Sequence, residues 1–186
     1  MRIISGRFKG QKIDAVEGIT ARPTTDFFRE MIFSVLNNLD INMINVLDLF
    51  AGSGALGFEA LSRGADHIDF VEGSKKSVST IINNLNRLDC HSQCSVNMKK
   101  AENFINHCSN KYDLILADPP YNKNFLNTII TLIRNQHILN NEGILVFEHS
   151  INEKLNDEFL PYVFKIKKGG PTQISFISFN KIYNQE

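Results

Sequence analysis

The sequence predicts a doubly wound α/β sheet, and three observations carry that reading. Short apolar runs alternate with longer amphipathic segments along most of the chain. Glycines at 52, 54 and 57 mark a tight passage from one apolar run into a helical pattern. Past Pro161 the alternation stops, and two β-type segments flank Gly169-Gly170-Pro171, which is turn chemistry. With 186 residues, 42% hydrophobic and 22% charged, the chain has the size and apolar content for a full core. That excludes collagenous, mucin-like and wholly disordered classes.

Residues 44–50 are apolar apart from Asn45 and Asp48 and read as a buried parallel strand. A helix follows over 55–63, with Leu56, Ala60 and Leu61 on one face. Residues 67–72 form the next strand, and 74–88 a helix capped by Ser74. A weak strand over 93–96 and a short helix over 101–107 come next. The run 112–117 is a strand, 124–136 a helix with Phe125, Ile129 and Leu132 aligned, and 143–148 another strand. The closing segments, 162–167 and 173–180, pair as an antiparallel hairpin that completes the sheet. At the start, residues 2–4 and 12–14 flank Gly6 and Gly10 as a small hairpin. Thr24 or Thr25 then caps a helix to about Asn38, with Phe28, Ile32, Val35 and Leu36 inward. The chain thus divides into an N-terminal extension, 1–40, and a main domain, 41–186.

Arg2, Arg7, Lys9 and Lys12 punctuate the start, so no signal peptide is expected, and no apolar run is long enough for a transmembrane helix. The expected address is the cytoplasm. Cys90, Cys94 and Cys108 are sparse and odd in number, which suits free thiols. Cys90, His91 and Cys94 lack a second Cys/His pair, so no metal site is expected. Net charge is zero but unevenly spread. Residues 1–12 hold four basic side chains and no acid, and 159–185 hold Lys165, Lys167, Lys168 and Lys181 with no acid. Basic ends around a mildly acidic centre suit a polyanion with a small-molecule pocket between them, although solvated lysines would look the same.

The stretch Asp48-Leu-Phe-Ala51-Gly52-Ser53-Gly54-Ala-Leu-Gly57 has the G-x-G-x-x-G spacing. Glu72 ends the following strand, 18 residues past Gly54, where an acid accepts both hydroxyls of a ribose. Taken alone this is a dinucleotide fingerprint. A dinucleotide, however, would bring its pyrophosphate toward the Asp48 carboxylate. S-adenosylmethionine has a ribose, a positive sulfur and an ammonium but no phosphate, so the sign is right. NAD stays the alternative at this motif.

Asp118-Pro119-Pro120-Tyr121 follows the run 112–117 and favours the sulfonium cofactor. In a doubly wound sheet this tetrapeptide lies beside the glycine loop, at the same crevice. Consecutive prolines lock the backbone and remove two N–H donors, leaving carbonyls and the Asp118 carboxylate as pure acceptors. Two acceptors, that carboxylate and the Pro119 carbonyl, suit the two protons of a planar exocyclic amine. They draw its nitrogen toward tetrahedral geometry and free the lone pair for methyl transfer. Tyr121 offers an aromatic face to an extruded base, worth about 1–3 kcal/mol.

On these motifs the sequence resembles the bacterial RsmD-type enzymes, the small-subunit ribosomal RNA guanine-N2 methyltransferases. Arg2-Ile-Ile-Ser-Gly6-Arg-Phe-Lys-Gly10 looks like the family's opening, and Arg22-Pro-Thr-Thr-Asp26 with Arg29-Glu30 like its second signature. The resemblance implies a seven-stranded, mostly parallel, Rossmann-like methyltransferase sheet and S-adenosylmethionine as methyl donor. It also implies a guanine of 16S ribosomal RNA as target, in free RNA or the assembled small subunit, and a monomeric enzyme. Asp48, Ala51, Gly52, Ser53, Gly54, Gly57, Glu72 and Ala101 would hold the cofactor. Arg22, Thr24 and Thr25 would lie by the target pocket, and Arg2, Arg7 and Lys9 on the RNA backbone. Lys100 stands where the family commonly has an acid or amide, so adenine must be read by backbone or another group. Phe27 stands where a basic residue is usual.

The acceptor geometry of Asp118 also fits adenine N6 or a protein glutamine, which remain alternative targets. A non-catalytic RNA-binding assembly factor is the alternative of another class; it predicts decay at Gly52, Gly54, Asp118 or Tyr121, and all four are intact.

Overall fold

The computed structural model describes residues 1–18, 24–39, 41, 43–120, 125–180 and 183, with the side chains of Thr24 and Thr25 left aside. After helix α1 (Thr24–Asn37) come β1 (Asn45–Leu49), α2 (Ala55–Ser62), β2 (His67–Val71), α3 (Lys75–Leu88), β3 (Cys94–Asn97) and α4 (Ala101–Asn106). The chain continues through β4 (Tyr112–Ala117), α5 (Phe125–Gln136), β5 (Leu139–Ser150), β6 (Val163–Gly169) and β7 (Thr172–Ile177). The seven strands form one sheet in the order β3-β2-β1-β4-β5-β7-β6. The pairs from β3 across to β5 are parallel, and β7 is antiparallel to both its neighbours.

Alternation along the strands sorts the core into two layers. Val46, Ile68, Phe70, Leu114, Leu116 and Val146 pack beneath α1, α2 and α3. Leu47, Leu49, Val71, Ile115, Ala117 and Phe147 pack beneath α4 and α5. Helix α3 is amphipathic, and its cap is the predicted Ser74, whose hydroxyl accepts from the Ser77 N–H at 3.4 Å. The outermost strand, β6, carries the exposed Lys165 and Lys168, which blunt an open edge against pairing.

Three local expectations change. Strand β5 runs from 139 to 150 rather than 143 to 148, because Leu139 already pairs with Tyr112 and Ser150 still pairs with Thr172. Helix α5 buries Leu126, Ile129, Ile130 and Ile133, so its inward face is turned from the Phe125–Leu132 line. Phe125 instead packs its ring on Phe50, with centroids 5.0 Å apart. Helix α2 is buried nearly all round, including Glu59 and Ser62, since a second surface covers the face expected to be solvated. The N-terminal hairpin forms as expected, with the antiparallel bridge Arg2 to Lys12 and backbone bonds from Ile3 to Gln11 and from Gly10 to Ile3.

The burial of α2 follows from the N-terminal segment, which divides its backbone donors between its own hairpin and α2. Glu59, with no exposed surface, accepts the N–H groups of Ile4 at 2.8 Å and Ser5 at 3.0 Å. Ser62 accepts from Arg7 and Phe8 in the same way, through its carbonyl and its hydroxyl. Arg63 gives Glu59 a 2.8 Å ion pair, and the buried Arg29 of α1 stands 3.7 Å from its other oxygen. Arg29 also donates to the Arg2 carbonyl at 2.7 Å and to Asp26 at 2.8 Å. Ile3, Ile13, Phe28 and Phe33 join the same core as Phe58 and Ile68, so the extension is packed into the sheet's first helical layer.

Removing this carboxylate takes the ion pair from Arg63, leaves the buried Arg29 with Asp26 as its remaining counter-charge and strands two backbone donors. Glu59→Ala is expected to cost about 3–5 kcal/mol, the usual penalty for breaking a buried ion pair. Denaturant unfolding at neutral pH measures it, and Glu59→Gln, which keeps acceptor capacity for one donor, should fall between the two proteins.

Candidate active site

Crossovers leave β1 and β4 in opposite directions, so the carboxyl ends of these adjacent strands frame the topological switch point. A cleft of about 740 Å³ opens there, within the range of small-molecule sites. The turn after β1 supplies Phe50, Ala51, Gly52 and Ser53; the end of β2 supplies Glu72, Gly73 and Ser74. Lys99, Lys100, Ala101 and Glu102 enter from the start of α4. Asp118, Pro119 and Pro120 come from the end of β4, and Glu148 and Thr172 from β5 and β7. Met1, Val16, Phe28, Arg29 and Ile32 close the cleft from the N-terminal side.

The turn is sharp because Phe50, Gly52 and Gly54 all have positive φ, at 57°, 58° and 80°. For a bulky residue such as Phe50 that is strained backbone. A Cβ at Gly52 would meet nothing nearer than the Phe50 carbonyl oxygen at 3.9 Å, an ordinary contact, so its need for glycine is conformational. Gly54 and Gly57 do not line the cleft. A Cβ at Gly57 would run into the Phe70 ring, so this glycine lets α2 lie against β2.

Carboxylates hold this turn in place. Glu72 Oε2 accepts the Gly52 N–H at 2.9 Å and its Oε1 the Ser74 N–H at 2.8 Å, tying the glycine loop to the end of β2. Asp48, 1% exposed, accepts the Gly57 N–H at 2.9 Å. Burial pushes its carboxyl from an ordinary 3.8 up to about 7, opposed by that hydrogen bond and reinforced by the negative charges of Asp118 and Glu72. Three acids converging on one cleft favour a cation there. Behind the loop, the fully buried Asn84 of α3 donates to the Ser53 carbonyl at 3.0 Å and to the Asp14 carbonyl at 3.1 Å. It thereby fixes the glycine loop against the N-terminal segment.

With this geometry in view, comparison with known proteins is decisive. The family model for Conserved hypothetical protein 95 matches residues 1–178. Ribosomal RNA small subunit methyltransferase D of Escherichia coli strain K12 is 32% identical over 155 residues, covering 83% of this chain and 77% of its own. This chain belongs to that family, the RsmD-type methyltransferases. YlbH of Bacillus subtilis is 40% identical over 153 residues, 80% of this chain and 82% of its own. The solved structure of Escherichia coli yhhF superposes with a TM-score of 0.82 at 28% identity, over 95% of this chain and 96% of that one.

The structure of this RsmD-type chain gathers Asp48, Ala51, Gly52, Ser53, Glu72, Ala101, Asp118, Pro119 and Pro120 around one cleft. Tyr121 and Arg22 lie outside the described residues, and Thr24 and Thr25 open α1. Arg2, Arg7 and Lys9 are exposed and away from the cleft lining. Arg2 donates to the Gly10 carbonyl at 2.7 Å, and the Arg7 guanidinium stacks 4.5 Å from the Phe8 ring centroid. The sequence reading missed Phe50, Arg29, Asn84 and Glu148. For Glu148 a signal existed: it ends the apolar run 143–147 as Asp118 ends 112–117. The three cysteines are free thiols. No described helix is long and apolar enough to cross a membrane.

The raised Asp48 carboxyl sets a pH dependence of stability. Folded and unfolded chains both protonate Asp48 below its ordinary 3.8, and both ionise it above about 7. Between these limits the folded state binds more proton, so stability falls as pH rises across this window. Asp48→Asn should remove that decline and be the more stable protein at high pH. Unfolding midpoints of both proteins across the window provide the check.

Proposed function

We propose that the chain methylates the exocyclic N2 amine of a guanine in small-subunit ribosomal RNA, using S-adenosylmethionine. The observation that carries this reading is the meeting of Asp118-Pro119-Pro120 with the glycine loop and Glu72 at the single cleft where β1 and β4 end. The relatives named as small-subunit rRNA methyltransferases support the RNA target.

The cleft suits this cofactor. It has room for a nucleoside with an amino-acid tail, and its buried acid is held half-ionised near neutral pH until a positive charge arrives. Gly52 and Ser53 line the cleft with backbone, and Glu72 would accept the ribose hydroxyls, since it has lone pairs to spare after its two backbone bonds. Asp48, beneath the loop, favours the sulfonium and ammonium charges. Ala101 and Glu102 line the same cleft, and the Glu102 carboxylate would supply the acceptor for an adenine amine that Lys100 lacks. When bound, S-adenosylmethionine supplies an electrophilic methyl group. The Asp118 carboxylate and Pro119 carbonyl would accept hydrogen bonds from the two N–H groups of the amine and so aim the nitrogen lone pair at the methyl group. Positioning and fixed electrostatics do the chemistry, and the surplus proton leaves after transfer. Tyr121 stacks the base. By the family resemblance Arg22, Thr24 and Thr25 would contact the target base, and Arg2, Arg7 and Lys9 would bind phosphates outside the cleft as a sequence-blind grip.

Labelled methyl transfer to free small-subunit rRNA and to unmodified assembled subunits, with nucleoside analysis, tests this. N2-methylguanosine is the expected product. N6-methyladenosine, or label in protein alone, would overturn the target. Asp118→Ala should lower turnover by about 10²–10³-fold, as loss of a preorganised polar contact does, with cofactor affinity unchanged. Equal loss of both would overturn the role given to Asp118.

A further inference from the structure

One flank of the cleft lies beyond the cofactor loop, between α1 and the ends of β4, β5 and β7. Here Ala117, the last residue of β4, is in register with Phe147 of β5. Asp118 and Glu148 are therefore lateral neighbours, at the ~4.8 Å spacing of adjacent strands. Alternation puts Glu148 on the sheet face of Val146 and of its β7 partner Ile174, the face that α1 covers. Both carboxylates line the cleft, as do the apolar Phe28 and Ile32 of α1.

We propose that Glu148 selects the target base, accepting the ring N1–H of the guanine whose neighbouring amine is held by Asp118 and Pro119. This rests on the methyltransferase reading given above and adds a residue to it. Asp118 and the Pro119 carbonyl recognise an NH₂ group and so fit guanine, adenine or an amide equally. What separates guanine from adenine at this edge is the atom beside the amine. In guanine it is N1–H, a donor; in adenine it is a bare N1 lone pair. A second carboxylate one strand over meets the donor and repels the lone pair. Two acceptor groups on adjacent strands thus match two adjacent donor groups on one base edge. Phe28 and Ile32, buried in the core behind this flank, give it an apolar wall.

The discriminating probe is 2,6-diaminopurine, which keeps the 2-amino group but has no N1–H. Small subunits are reconstituted with rRNA carrying guanine or 2,6-diaminopurine at the nucleotide that the wild type methylates. The wild type should favour guanine in kcat/KM by roughly 5- to 150-fold, the discrimination typical of a paired base-edge contact. Glu148→Gln, whose amide can donate to the bare N1, should lose most of that preference while binding cofactor as the wild type does. A structural role would lower both rates together and leave their ratio unmoved, which would overturn the proposal. Equal use of both bases by the wild type would overturn it without any variant. Absence of transfer to guanine would instead remove the underlying methyltransferase reading, and the proposal with it.

Discussion

The bond from Asp48 to the Gly57 amide is the constraint on which the cleft depends. It joins the end of β1 to the first turn of α2 across nine residues. To close that span the chain must reverse within a few residues, which requires positive φ at Phe50, Gly52 and Gly54. Helix α2 must then lie so close to β2 that Gly57 has no space for a side chain. The reversal turns the backbone of Gly52 and Ser53 into the cleft, and Glu72 secures it by accepting the Gly52 N–H. The electrostatics follow from the same packing. A carboxylate under a helix, with Asp118 and Glu72 nearby, is costly to ionise, and a cationic ligand relieves that cost. Structure and ligand preference thus share one origin.

The N-terminal segment is the second element that the site needs. In an open α/β sheet, α2 would present one face to solvent. Here Glu59 and Ser62 on that face collect the backbone donors of residues 4–8, and Arg29 joins the cluster from α1. Asn84 carries the linkage on to the glycine loop. The outcome is a wall of Met1, Val16, Phe28, Arg29 and Ile32 over the strand ends. The same segment displays Arg2, Arg7 and Lys9 outward, so one short stretch of chain closes the pocket within and presents positive charge outside it.

Parallel register then decides what the pocket can read. The β4–β5 ladder ends at Ala117 and Phe147, so the residue that follows each, Asp118 or Glu148, reaches the same cleft. Both are acids. An acceptor pair carried by two strands is rigid in a way that two loop residues are not, since the backbone ladder between them fixes the spacing. The antiparallel β7 extends β5 through Ser150 and Thr172 and so holds the Glu148 end of the strand in place.

Local chemistry was enough to make most of this molecule legible in the sequence. Strand and helix order, the Ser74 cap, the Gly170-Pro171 turn and the joint placement of the glycine loop, Glu72 and Asp118-Pro119-Pro120 follow from periodicity, turn residues and the topological rule for open sheets. The motif residues are legible because each lies within a few positions of the strand end that carries it. Glu59 carries no signal in the sequence, since nothing within its own helix indicates that residues 4 and 5 will donate to it. Asn84 is alike, buried by contacts with residues 14 and 53. The inward face of α5 shifted because Phe125 met Phe50, a partner 75 positions away. The pairing of Asp118 with Glu148 depends on strand register, which is set by hydrogen bonds between segments. The sequence by itself determined the elements and the chemical groups at their ends. The tertiary structure alone decided which distant groups would be buried together, because burial and register belong to the packed sheet and not to any one segment.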